Sequence, residues 1–473
     1  MAGINKVGFK RDLNWWDCAG IILGIILGTG IFSIFPTLIA QHNTSTFMII
    51  LAWAFGGLFA WFGAMCYAEL SSLLPWAGGD YTYLSKAYSA NGEGLVSFLF
   101  AWAQVLVIRP SSIALMALIL ASELNKIFIS INPTMELNLL MVALVAVAFF
   151  TLVNMIGITI GKRFQNTMTI LKIAILVFMI VYGLIKAPVH VGSAAAHVLN
   201  FAPLLFPPDK GIWGIIAGFW HAMVLTMWVY GGWSEAVYVA EEAKDPYHSI
   251  PKALFFGIFW VAIIYVGINI VYLRYFTPQG LATSYNPASD LMAVWFGAKG
   301  SIVMSLIIVI SAAGAIHGLT LTGGRMSYAV ADDFKGLKLF ALLHPTRRTP
   351  SMALMVNFII CGILLLVIRG QVSSAENLAY YTAGVYWYFF ALVVISLFIL
   401  RNQVSVDEIP FRVPFYPFLP ILFLLITGGL IAAAIQYKPV ETLAGIAILN
   451  LGIPLYYLLS ISKVHNPNIN RNK

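Results

Sequence analysis

Long apolar stretches alternate with short polar ones along the whole chain. Twelve stand out, near residues 15–41, 47–74, 94–124, 137–158, 166–186, 211–240, 251–276, 299–330, 351–368, 378–399, 418–436 and 443–462. Each holds about the 20 residues that a helix needs to cross roughly 30 Å of hydrocarbon. The pattern predicts an all-α membrane protein with 12 transmembrane helices and no soluble domain. Polar tails, 1–14 and 463–473, flank the membrane portion.

Composition agrees and adds an orientation. The chain is 60% hydrophobic and 10% charged over 473 residues, with a mean hydropathy of +0.87, which excludes an ordinary soluble globular protein. The larger share of its 27 Lys and Arg falls in alternate inter-helix segments, among them Lys6, Lys10, Arg11, Lys162, Arg163, Lys335, Lys338, Arg347 and Arg348. The positive-inside rule then places both termini in the cytoplasm and the chain in the cell membrane as a multi-pass protein. The same bias toward anionic headgroups accounts for the net charge of +8, so no nucleic-acid partner is expected. Met1 to Leu13 is polar and the apolar run after it is too long for the core of a signal peptide, so the first helix is expected to stay in the protein. Cys18, Cys66 and Cys361 all fall in or beside predicted spans, which leaves no outer-face disulfide framework.

Two spans carry glycine interruptions near their middles, Gly28-Thr29-Gly30 and Gly231-Gly232. Single glycines in membrane helices usually serve close packing, the role expected of Gly20 and Gly24. A Gly-Thr-Gly set mirrored by a Gly-Gly pair between Tyr230 and Trp233 fits packing less well. An unwound turn in hydrocarbon leaves N–H and C=O groups that cost several kcal/mol each unless something satisfies them. Paired breaks about 200 residues apart are the mark of a midplane binding site in a transporter. Helices 1–5 and 6–10, about 15–186 and 211–399, then form two repeats. Because five is odd, the repeats are inverted, and residues 400–462 add helices 11 and 12. The opened ends would present N–H groups near Thr29 and Gly30 to a carboxylate, and the carbonyls of Ile26, Trp228 and Gly231 to an ammonium.

Four segments identify a family. Gly24 to Phe32 (GIILGTGIF), Tyr67 to Leu84, Val107 to Leu118 (VIRPSSIALMAL) and Tyr230 to Leu254 resemble the amino acid-polyamine-organocation transporters, and within them the L-type amino-acid transporters and their bacterial relatives. Pro410 to Pro420 continues the likeness. The resemblance implies the leucine-transporter-type fold, a 5+5 inverted repeat with helices 1 and 6 broken. It also implies an amino-acid substrate held by Ile26, Gly28, Thr29, Gly30, Trp228, Val229, Tyr230, Gly231 and Gly232, with Trp228 as a gate. It implies further that Lys172 in helix 5 replaces a sodium ion bridging helices 1 and 8, where Ser311 lies. An intramembrane lysine is costly enough to suggest function by itself, and it leaves a proton-coupled mode open. Glu235, a position where bacterial relatives commonly have glutamate, is expected either to couple ions or to pair with a neighbour. The outer segment 125–136 lacks the cysteine that links some relatives to a glycoprotein, so no disulfide-linked ancillary subunit is expected.

Other polar residues within spans read as structural. Arg109 is expected to pair with carbonyls or a hydroxyl near Pro110, and His221 and His317 to be packing histidines. Glu69, Glu241 and Glu242 are expected to form one inner-face network with Lys244 and Arg325. No metal-ligand spacing, phosphate loop or nucleophile elbow occurs, so neither enzyme chemistry nor a cofactor is expected. The combined expectation is a sodium-independent carrier of small to medium neutral amino acids working by alternating access, as exchanger or proton symporter. A polyamine or cationic amino-acid carrier and a non-transporting amino-acid sensor are the alternatives.

Overall fold

A computed structural model describes residues 11–40, 46–76, 78–89, 94–156, 158–186, 211–284, 286–333, 342–344, 347, 349–368 and 375–464. The outermost parts of both expected tails, residues 1–10 and 465–473, lie outside the described residues. Among the described residues sixteen α-helices follow in chain order. The first eight are α1 (Trp15–Ile26), α2 (Gly30–Ala40), α3 (Thr46–Leu73), α4 (Asp80–Tyr88), α5 (Leu95–Ala103), α6 (Arg109–Ile131), α7 (Leu139–Ile156) and α8 (Ile158–Ile185). After them come α9 (Ile212–Val229), α10 (Pro246–Tyr275), α11 (Pro278–Thr283), α12 (Pro287–Asp333), α13 (Ser351–Val367), α14 (Ala375–Arg401), α15 (Phe418–Tyr437) and α16 (Pro439–Val464). A π-helical turn, Gln104–Ile108, joins α5 to α6, and a 3-10 helix, Trp233–Glu242, follows α9.

Among the described residues nine helical segments are long and apolar enough to cross a membrane, and Trp15–Ile26, Thr169–Ile185 and Ser351–Val367 are shorter apolar helices. Helices suit this composition because each satisfies its own backbone in hydrocarbon. Outward-facing apolar residues recur every three or four positions, as with Met141, Val145, Phe149 and Leu152 on α7 and Met355, Ile359, Ile363 and Leu366 on α13. Such stripes are what a lipid-facing surface requires.

Several boundaries differ from those read along the chain. The apolar run 94–124 is two helices and a π turn, and its second helix runs on to Ile131. Pro110 explains the turn. Lacking an N–H, it cannot serve the Leu106 carbonyl, and the helix widens ahead of it, with Arg109 N–H donating to Gln104 O five residues back. The run expected at 299–330 starts at Pro287 and bends at Gly297 (φ 67°). The helix α4 is too polar to show as an apolar run. In the core α3 packs along α10, α6 along α12, and α1 against both α8 and α10.

Candidate functional site

The interruption between α1 and α2 redirects four carbonyls. In an unbroken helix the Gly28 N–H would donate to Gly24 O. It donates instead to Ile26 O at 2.7 Å, and the released Gly24 carbonyl accepts Lys172 Nζ at 2.8 Å. Ile26 O also accepts the Tyr265 hydroxyl. The Ser311 hydroxyl donates to Leu27 O and Gly28 O, at 2.8 and 3.1 Å. Three side chains from α8, α10 and α12 thus meet the carbonyls of one break. On the other side of it, the N–H groups of Gly30 and Ile31 head α2, where no intrahelical acceptor exists, and form the positive end of its dipole.

The second interruption is built from its own chain. Tyr230 N–H donates to Thr226 O and Gly231 N–H to Trp228 O, at 2.9 and 3.0 Å. Gly232 adopts φ 96°, a conformation that side chains other than hydrogen disfavour, and the chain continues as the 3-10 helix. Gly232 N–H donates to the Tyr386 hydroxyl at 3.3 Å. The glycines also let the two breaks abut: a Cβ at Gly30 would stand 2.7 Å from Val229 Cγ2, and one at Gly232 2.6 Å from Ile25 Cγ2.

Between the breaks lies a cavity of about 80 Å³. Ile26, Gly28, Thr29, Gly30, Trp228, Val229, Gly231, Gly232 and Glu235 line it. Tyr230 does not; its hydroxyl donates to Trp53 O at 2.9 Å and its ring packs on Tyr265. Lys172 and Ser311 also lie outside the lining, Lys172 meeting Gly24 O and Ser311 meeting Leu27 O and Gly28 O of the first break. The Ile26 carbonyl already receives two donors, so the lone pairs left for an ammonium are those of Trp228 O, which accepts one donor, and Gly231 O. Arg109, Thr382 and Tyr386 also line the cavity. The last two gave no signal in sequence, because an ordinary threonine or tyrosine within a span is unremarkable.

One ion pair sets the electrostatics. Arg109 Nη2 lies 3.0 Å from Glu235 Oε2, with side chains 2% and 11% exposed. Arg109 Nη1 donates to Leu319 O and Thr322 Oγ1 at 3.0 and 2.8 Å. The guanidinium also stacks 5.0 Å over the ring of Tyr238, whose hydroxyl donates to Asp80. The positive and negative groups at the cavity wall therefore compensate each other. His221 and His317 engage Tyr380 and Asn154. The acidic network expected at one face is two separate clusters: Glu242 pairs with Arg325 at 2.8 Å, whereas Glu69 takes Arg401 and the Val413 N–H from the connection after α14.

Two interrupted helices meeting at a small cavity inside an apolar helical bundle define a membrane transporter fold. MHP1, a nucleobase-cation-symport-1 family transporter solved in a closed conformation with bromovinylhydantoin bound, has this fold. The likeness covers 96% of this chain and 94% of that one, with a TM-score of 0.58 and 15% identity. The chain belongs to the amino acid permease family, whose model matches residues 13–449. The b(0,+)-type amino acid transporter 1 of Mus musculus is 30% identical over 460 residues, covering 96% of this chain and 89% of the relative. Large neutral amino acids transporter small subunit 2 of Mus musculus is 30% identical over 465 residues, covering 97% and 82%. The protein is a multi-pass amino-acid transporter of the amino acid-polyamine-organocation superfamily.

Proposed function

We propose that the chain carries small to medium neutral amino acids across the cell membrane without sodium, by alternating access on a twelve-helix, 5+5 inverted-repeat frame with both termini cytoplasmic. The observation that carries this reading is the charge balance of the central cavity. Its carboxylate, Glu235, is engaged by Arg109 at 3.0 Å, which leaves backbone ends of opposite polarity to recognise a zwitterion. The N–H groups at Gly30 and Ile31 receive the carboxylate, and the Trp228 and Gly231 carbonyls receive the ammonium. Trp228 closes over the side chain.

Lys172 supports sodium independence. Its Nζ already donates to Gly24 O, so a side-chain donor stands where helix 1 releases a carbonyl. A polyamine or cationic carrier would need an unpaired carboxylate at the cavity, and the pairing of Glu235 argues against one. Exchange follows if the empty carrier reorients slowly, and proton symport if Lys172 or Glu235 must change charge for it to do so. The name of the large neutral relative describes a small subunit; for this chain we propose function without a disulfide-linked partner.

Proteoliposome uptake of labelled neutral amino acids tests the proposal. Uptake that needs internal amino acid but no sodium establishes exchange. Uptake into empty vesicles driven by a pH gradient establishes symport. Strict dependence on sodium refutes the reading, and binding without uptake points to a sensor.

A further inference from the structure

A second cavity, about 210 Å³, lies on the far side of Arg109 from the central one, between α5, the π turn, α12, α13 and α16. Its walls are almost wholly apolar, with Phe98, Trp102, Val330, Val356 and Leu455 prominent. Four polar side chains interrupt them, Gln104, Arg109, Ser327 and Asn357. Three of them carry a buried atom without a hydrogen-bond partner: Gln104 Oε1, Arg109 Nε and Asn357 Oδ1. Gln104 and Arg109 are 4% and 2% exposed. Buried polar atoms are rarely left unmatched, because each costs on the order of 1–3 kcal/mol.

The local fold creates this arrangement. The π turn ahead of Pro110 inserts an extra residue, so that Gln104 lines this cavity and Arg109 lines both. Gly323 makes room beside them, since a Cβ there would meet Arg109 Cδ at 3.0 Å and Asn357 Nδ2 at 3.1 Å. Leu455 shares one face of α16 with the exposed Leu451 and Leu458, so the cavity borders an apolar exposed surface.

We propose that this cavity is a binding site for a neutral amphiphile drawn from the bilayer, an aliphatic chain ending in a hydroxyl. The unmatched atoms are one N–H donor and two carbonyl acceptors, and a hydroxyl both accepts and donates. Because Glu235 neutralises Arg109, an anionic headgroup gains no free charge here. Because Arg109 also borders the central cavity, the occupant braces the floor of the transport site from behind.

The test uses the full chain in nanodiscs, with a photoreactive diazirine analogue of 1-decanol as probe and peptide mapping as readout. Saturable labelling is expected in residues 95–109 and 351–357. At matched bilayer mole fraction, 1-decanol should compete about tenfold better than decane, the difference that hydroxyl hydrogen bonds supply. Ala353→Phe, which fills the cavity, should abolish labelling while amino-acid uptake persists. Gln104→Leu should keep labelling but erase the preference for alcohol over decane, and it decides the matter if Ala353→Phe fails to fold. Hydration by water alone would give no saturable labelling. That result, equal competition by decane, or labelling unchanged by Ala353→Phe would overturn the site.

Discussion

The two helix breaks solve the same problem by different means. At the first, between α1 and α2, the released carbonyls are met from outside, by Lys172, Tyr265 and Ser311 on three separate helices. At the second, the chain largely satisfies itself, through the Gly231 turn onto Trp228, the positive φ of Gly232 and the 3-10 helix that follows, with Tyr386 adding one outside contact. The first break therefore depends on side chains that other helices bring to it, and the second on backbone conformations that glycine permits. Substitutions should separate the two: the first is sensitive at a distance and the second locally.

The largest effect is expected at Gly232. Gly232→Ala combines a left-handed φ with a Cβ 2.6 Å from Ile25, and should lower stability by roughly 2–4 kcal/mol and abolish uptake. Thermal unfolding in detergent, read beside proteoliposome uptake, checks this. Next comes Lys172→Ala, which strips Gly24 O of its buried side-chain donor and should cost about 1–3 kcal/mol. Lys172→Met, which keeps most of the bulk, should rescue packing but not uptake, so a variant that transports normally would break the contrast drawn between the breaks. Ser311→Ala removes one hydroxyl shared by two carbonyls, and a stability loss of about 1 kcal/mol is expected in the same assay. Tyr386→Phe should be the mildest, under about 1 kcal/mol, because the Gly232 contact it removes is long at 3.3 Å. A Tyr386→Phe loss as large as that of Lys172→Ala would mean that the second break is also held from outside.

Much of this architecture was legible in the chain because hydrocarbon leaves so few options. Apolar runs must be helices there, and glycines set close together in such a run mark where the backbone departs from one. Gly28, Gly30, Gly231 and Gly232 accordingly come together at one cavity. Other features depend on contacts between distant residues, which spacing does not encode. Arg109 and Glu235 are 126 positions apart, and Arg401 rather than Arg325 reaches Glu69 across 332. Tyr230 sits beside the glycine pair, yet its ring turns toward Trp53 and Tyr265. The π turn did have a signal, Pro110 inside a span, but its consequence for Gln104 appears only once the helix is built.

The central claim is that the opened backbone ends recognise both charged groups of an amino acid, with no sodium ion involved. Calorimetric titration of the purified protein in sodium-free buffer with leucine, leucine methyl ester and 4-methylpentanoate tests it directly. The account predicts that leucine binds and that the ester, which lacks the carboxylate, and 4-methylpentanoate, which lacks the ammonium, bind at least about tenfold more weakly. Equal binding of either analogue, or leucine binding that appears only when sodium is added, would contradict it.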